Sequence, residues 1–188
     1  VGIGPSSSHT VGPMRASVKF CETLKQQELF EQVTEVKCEL FGSLGQTGIG
    51  HGSGKAVILG LSGYLPENID PDIVDALLSK IDNEQQLLLN GEKAVRFAKQ
   101  GAIVFHRRKS LPAHSNGMTI HAYINDECVL SESYYSIGGG FIVKAEDFEQ
   151  EKESALATFS EHTTPYPFET AEQLVNQCKE HGLSVSAL

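Results

Sequence analysis

Between Gly4 and Pro13 the sequence gathers three serines, a histidine and a threonine, Ser6-Ser7-Ser8-His9-Thr10, directly ahead of a segment with helical spacing. Hydroxyls, an imidazole and the first amides of a helix together suit a small anion. Those amides lack intrahelical partners, and the helix end carries a partial positive charge. The plainer reading is a Ser- or Thr-capped helix after a flexible loop. Five consecutive polar residues able to contact one ligand favour a binding loop.

A second concentration of chemistry lies in the glycine-rich stretch Gly42 to Gly54, read as a loop, with His51 between Gly50 and Gly52. It is not a Walker loop: Ile49 stands where glycine is required and Ala56 replaces the magnesium-binding hydroxyl. It is not a dinucleotide fingerprint either, since Ser53 takes the third glycine position. What remains is a backbone able to approach a ligand and an imidazole with an ordinary pKa of about 6.5, suited to removing a proton at neutral pH. Leu111-Pro112-Ala113-His114-Ser115-Asn116-Gly117-Met118 adds an imidazole and a carboxamide on a tight loop entering a strand. Taken alone, an Asn-Gly turn with an exposed histidine accounts for that piece. Tyr134 to Phe141 ends a strand in Gly138-Gly139-Gly140, a bulged or flexible exit. His121 belongs to a polar strand face, where solvation is at least as good an account as catalysis. His106, His162 and His181 receive no role.

The elements that must position these groups follow from periodicity. Thr10 or a neighbour caps a first helix running to about Leu29, with Pro13 in its first turn and Met14, Val18 and Cys21 on its apolar face. Glu35 to Phe41 alternates as a strand with Val36, Cys38 and Leu40 on its apolar side. Ser53 is placed to cap a short helix through Ala56, Val57 and Leu61, and Asp70-Pro71 opens another reaching Asn83. Strands are predicted at 87–89, 94–97, 102–106, 118–124, 128–136 and 141–144, with hairpin signals at Asn90-Gly91 and Asn125-Asp126. Glu146 to Pro167 reads as polar loop, and Thr170 with Gln173 opens a last helix ending at Gly182. The expected organisation is a core over 1–147, a linker over 148–168 and a C-terminal helix over 169–188. The fold class is α+β, a mainly antiparallel sheet with helices packed on it.

Composition narrows the function classes. A net charge of −9 offers no basic stripe for nucleic acid, and His106-Arg107-Arg108-Lys109 reads as a solvated turn. No apolar run approaches the roughly 18 residues of a membrane span. Cys21, Cys38, Cys128 and Cys178 form no C-x-x-C pair and read as small buried hydrophobes in a reducing compartment, hence the cytoplasm. The chain starts at Val1 with no signal-peptide pattern and reads as a piece of something longer.

The motifs Ser6-Ser7-Ser8-His9-Thr10, Gly50-His51-Gly52, Leu111-Pro112 with His114 and Asn116-Gly117-Met118, and Tyr134-Tyr135-Ser136-Ile137-Gly138-Gly139-Gly140-Phe141 resemble the β domain of iron–sulfur-dependent bacterial L-serine dehydratase. The resemblance runs across nearly the whole chain. It implies a lyase converting L-serine to pyruvate and ammonia, with a [4Fe–4S] cluster on cysteines of an α domain of the same chain. None of the four cysteines here matches a cluster-ligand position. By resemblance, Ser6, Ser7, Ser8, His9, Thr10, His114, Asn116 and Tyr135 surround the substrate, and His51 is the general base. A homodimer is the expected assembly, and this piece alone is expected to be inactive. Gly54 stands where the family often has an acidic residue, so no carboxylate role carries over there. The domain type also resembles the allosteric substrate-binding domain of some bacterial phosphoglycerate dehydrogenases, which holds a small anion without chemistry. His51 and the tyrosine pair favour the lyase, since a passive anion site needs no base between glycines.

Overall fold

The computed structural model describes residues 7–98 and 100–150, with the side chains of residues 49–51 left aside. Seven strands form one sheet in the order β2-β3-β1-β5-β6-β7, with β4 also hydrogen-bonded to β1. The strands are β1 (Glu35–Phe41), β2 (Gln86–Leu89), β3 (Lys93–Arg96), β4 (Ile103–Phe105), β5 (Asn116–Ile124), β6 (Glu127–Gly138) and β7 (Phe141–Lys144). The pairings β2–β3, β1–β5, β5–β6 and β6–β7 are antiparallel, while β3 and β4 run parallel to β1. The mainly antiparallel α+β architecture is therefore as the periodicities predict. Both hairpin signals hold, because Asn90, Gly91, Asn125 and Asp126 all take the positive φ that a tight primed turn demands.

Alternation along the central strands sorts the chemistry into two faces. Val36, Cys38 and Leu40 of β1 and Met118, Ile120 and Ala122 of β5 are fully buried on one face. There they meet Phe20 and Leu24 of α1 (Val11–Gln26), Leu44 of α2 (Gly42–His51), and Val57 and Leu61 of α3 (Ser53–Leu61). The first helix stops three residues short of Leu29. Glu28 turns left-handed at φ 59°, and the Leu29 amide closes onto the Leu24 carbonyl. That turn folds Phe30 back into the core, a tertiary gain that outweighs continued helix. The fourth helix, α4 (Pro71–Glu84), starts as read, with the Asp70 carboxylate accepting from the Asp72 amide at 3.0 Å.

The stretch Gly42 to Gly54 is not a loop. It is the helix α2, a single left-handed residue Gly52 at φ 78°, and the start of α3. Its glycines serve close packing more than freedom. A Cβ on Gly45 would lie 2.3 Å from the His106 carbonyl oxygen, and one on Gly48 would lie 2.9 Å from the Phe105 ring. Helix propensity alone would reject such a segment, at about 1 kcal/mol per glycine, and packing on β1 and β4 overrides it. Two further expectations need correction. Residues 145–150 are helical, so the reading of a loop from Glu146 fails at its start, and the Phe148 ring packs on Tyr135 at 5.3 Å between centroids. Cys128 is exposed, because its register opposite Tyr123 puts it on the polar side of the sheet. Cys21 and Cys38 are buried as read, and burial pushes the Cys21 thiol up to about 12. The linker beyond residue 150, the last helix and Cys178 lie outside the described residues.

The second face of the sheet carries a polar cluster that spacing gave no reason to expect. Glu39 binds two histidines at once, His106 Nε2 at 2.7 Å and His121 Nε2 at 2.8 Å, and Ser131 Oγ meets His121 Nδ1 at 2.9 Å. The His106 ring also stacks on Phe41 at 4.6 Å, so it is drawn out of the basic turn, whose Arg107, Arg108 and Lys109 stay exposed. Partial burial works to raise the Glu39 carboxyl, but hydrogen bonds from His106 and His121 outweigh it and hold the group below its ordinary range. A carboxyl depressed in the folded state stabilises the fold above its unfolded pKa, and that contribution is lost as pH falls through the folded value. The urea midpoint of the parent should exceed that of Glu39→Gln at pH 7. The gap should close as pH drops from about 5, the top of the carboxylate range; a gap independent of pH would refute the assignment.

Candidate functional site

The leading loop, residues 7–10, is pinned through its backbone. Ser7 and Thr10 carbonyls accept from the Gly12 and Met14 amides of α1 at 2.9 and 3.0 Å. Between them, the Ser8 carbonyl accepts from Ser136 Oγ of β6 at 2.7 Å, and the His9 carbonyl accepts from Ser53 Oγ of α3 at 2.8 Å. Thr10 occupies the N-cap position of α1 without a side-chain capping bond. Ser53 likewise does not cap its helix, because Gly52 holds that position and the fully buried Ser53 hydroxyl is turned to the loop.

The side chains continue the network. Ser8 Oγ meets His9 Nδ1 at 3.0 Å, and His9 Nε2 meets Ser43 Oγ in the first turn of α2 at 3.0 Å. The Asn116 carboxamide donates to the Ser136 carbonyl at 3.2 Å, which ties the entry of β5 to the residue that holds Ser8. The Asn116 amide donates to His114 Nδ1 at 3.0 Å, so the proton of a neutral His114 ring sits on Nε2. Asn116 is not part of a turn: it opens β5 and bridges to Gly42, next to Ser43. Alternation divides the tyrosine pair. Tyr134 points into the core, fully buried. Tyr135 lies edge-on to His114 at 6.4 Å between centroids.

Of the sequence-predicted residues, then, Ser8, His9, His114, Asn116 and Tyr135 share one connected region. Ser7 is exposed at its edge and Thr10 is buried beneath it. Ser6 lies outside the described residues. His51 is the last residue of α2, two positions before Ser53, and its side chain is likewise outside the description. The sequence assigns no site role to Ser43, Ser53 or Ser136, Ser53 being read only as a helix cap. Ser136 stood inside a quoted motif, whereas Ser43 and Ser53 were masked by reading their surroundings as loop and cap. Arg15, another unassigned residue, donates to the Gly140 carbonyl at 3.2 Å and pairs with Glu67, holding the glycine hairpin against α1. A separate cavity of about 240 Å³ between α4 and the β2–β3 hairpin, lined by Tyr64, Leu77, Ile81 and Leu87, includes none of these residues. Among the described residues no group of three or more His, Cys, Asp or Glu could hold a metal ion, and no helix is long and apolar enough to cross a membrane.

Chemically the region offers hydroxyls, an amide and imidazole nitrogens at the starts of α2 and α3, where helix dipoles favour negative charge. It also has a tight mechanical constraint. A Cβ on Gly12 would lie 2.0 Å from Ser136 Oγ and 2.8 Å from its Cβ. Helix propensity predicts that Gly12→Ala gains up to about 1 kcal/mol, whereas the clash costs about 1–3 kcal/mol, so the clash wins. Gly12→Ala should therefore lower the urea midpoint in the parent, and it should cost much less in a Ser136→Gly background, which is itself weakened by loss of the bond to the Ser8 carbonyl; a stabilised single variant would contradict this packing.

Comparison with known proteins covers the same part of the chain. The family model described as serine dehydratase beta chain matches residues 1–147. The chain is 44% identical over 189 residues to an L-serine dehydratase of Streptomyces coelicolor, covering all of this chain and 41% of that protein. It is 44% identical to L-serine dehydratase 1 of Escherichia coli and 42% identical to an L-serine dehydratase of Haemophilus influenzae, covering 40% of each. The chain thus spans about two-fifths of the length of the curated relatives it matches.

Proposed function

The chain belongs to the serine dehydratase beta chain family, and from that membership we propose that it is the substrate-holding portion of an L-serine ammonia-lyase. The observation that carries the reading is the network joining Ser8, His9, Ser136, Asn116 and His114, groups suited to a small amino acid, in a chain related along its whole length to L-serine dehydratases. In this reading Ser6 to Thr10 bind the substrate carboxylate together with His114 and Asn116, and Tyr135 flanks them. His51 removes the Cα proton. Loss of water leaves aminoacrylate, whose imine tautomer takes up water to give pyruvate and ammonia.

Departure of the hydroxyl calls for a Lewis acid, and we assign that part to the [4Fe–4S] cluster implied by the family resemblance, held by cysteines of an α domain of the same chain that is not among these 188 residues. The described cysteines do not fit it: Cys21 and Cys38 are buried thiols raised by desolvation, and Cys128 belongs to no metal-binding group among the described residues. A homodimeric assembly is part of the same proposal.

Two kinetic experiments on the full-length protein, kept anaerobic, test the roles. Ser7→Ala with Ser8→Ala should mainly raise KM for L-serine, because it removes binding shared by ground and transition states. An unchanged KM would reduce the loop to a helix start and leave the site without its binding element. His51→Ala should lower kcat by about 10²–10⁴-fold with little change in KM and unchanged iron content, the pattern for loss of a general base. Near-normal kcat with iron in place would move the base elsewhere, with His9 and His114 next in line.

A further inference from the structure

We propose that Ser43, in the first turn of α2, is a positioning residue of this site that acts by holding the His9 ring. The inference rests on the reading of residues 6–10 as the substrate loop. His9 has a hydroxyl against each ring nitrogen, Ser8 Oγ at Nδ1 and Ser43 Oγ at Nε2, both at 3.0 Å. Ser8 is the adjacent residue and travels with the loop. Ser43 is 34 residues away on a separate element, so its bond ties the ring to a part of the fold outside the loop.

Ser43 is itself rigidly placed. Its amide donates to the Ser115 carbonyl at 2.8 Å, its carbonyl accepts from Thr47 Oγ1 at 2.8 Å, and the preceding Gly42 amide donates to the Lys109 carbonyl at 2.7 Å. The first of those bonds joins Ser43 to the same short segment that carries His114 and Asn116. One serine therefore links the imidazole of the leading loop to the imidazole and carboxamide of the β5 entry. A hydroxyl also suits the task chemically. It donates or accepts as required, so the ring stays bonded in either neutral tautomer. An alanine would take the hydroxyl away from the ring's distal nitrogen, and a threonine would keep it.

The test is a double-mutant cycle in the full-length protein under anaerobic conditions, reading kcat and KM for L-serine alongside thermal unfolding. Ser43→Ala should raise KM by about 3- to 10-fold, the worth of one hydrogen bond, with kcat within about twofold. Ser43→Thr should restore the parent KM. In a His9→Ala background, adding Ser43→Ala should have no further effect on KM, because the residue acts through the ring. Additive losses, or a KM unchanged by Ser43→Ala while His9→Ala raises it, would overturn the role of Ser43 and leave the substrate loop standing. A KM indifferent to His9→Ala would overturn the loop reading and this inference with it.

Discussion

Four consecutive backbone carbonyls, those of Ser7, Ser8, His9 and Thr10, must find donors in a segment with no regular structure of its own. Two are satisfied by α1 and two by hydroxyls reaching in from β6 and α3. That division sets much of the surrounding architecture. Ser136 can reach the loop only because position 12 has no Cβ, and Ser53 can reach it because the left-handed Gly52 ends one helix and starts the next beside it. These four bonds are made by the main chain and so hold the loop whatever its side chains, to which the His9–Ser43 bond adds a side-chain tie. Hydroxyls and an imidazole concentrated on such a loop suit a ligand site.

The two faces of the sheet cooperate in placing α2. On the polar face, Glu39 holds His106 and His121 through its two carboxylate oxygens. On the apolar face, α2 lies against the same turn: the His106 amide bonds to the Leu40 carbonyl, and the missing side chain of Gly45 lets the helix settle on the His106 carbonyl. A carboxylate on one side of β1 thereby anchors the turn that supports a helix on the other. That helix carries Ser43 at one end and His51 at the other. Through this mechanical route His106 and His121 bear on the site by holding Glu39 and the turn.

Much of the architecture was legible because its signals are local. The alternation of Glu35 to Phe41, the Asn90-Gly91 and Asn125-Asp126 turns and the Asp70-Pro71 helix start each depend on a few neighbouring residues, and each stands as read. The failure at Gly42 to Gly54 has the opposite cause. Glycine is a poor helix former, and nothing local distinguishes glycine kept for freedom from glycine kept for contact with Leu40, Phe105 and His106. The end of α1 failed similarly, since the left-handed turn falls on Glu28 and not on the glycine or asparagine that would mark it. In the site, Ser8, His9, His114 and Asn116 could be named from composition and resemblance. Ser43 and Ser53 could not, because their roles exist only once α2 and α3 bring their first turns to the loop.

The character of the network also suits the proposed ligand better than a cluster of cations would. The chain carries a net charge of −9, a field that disfavours anions at a distance, although salt confines it to about 8 Å under physiological conditions. An amino acid at neutral pH is a zwitterion, so this field neither steers it in nor keeps it out. What decides its binding is contact, and a carboxylate beside an ammonium needs donors and acceptors within a few ångströms of one another. Arginine and lysine can only donate. Serine hydroxyls, a carboxamide and a neutral imidazole do both, and the one arginine close to this corner, Arg15, is already engaged by the Gly140 carbonyl and Glu67. A site made of groups that donate and accept offers partners to both ends of such a ligand, and the helix starts beside it favour the carboxylate end, without placing an unpaired charge in the protein.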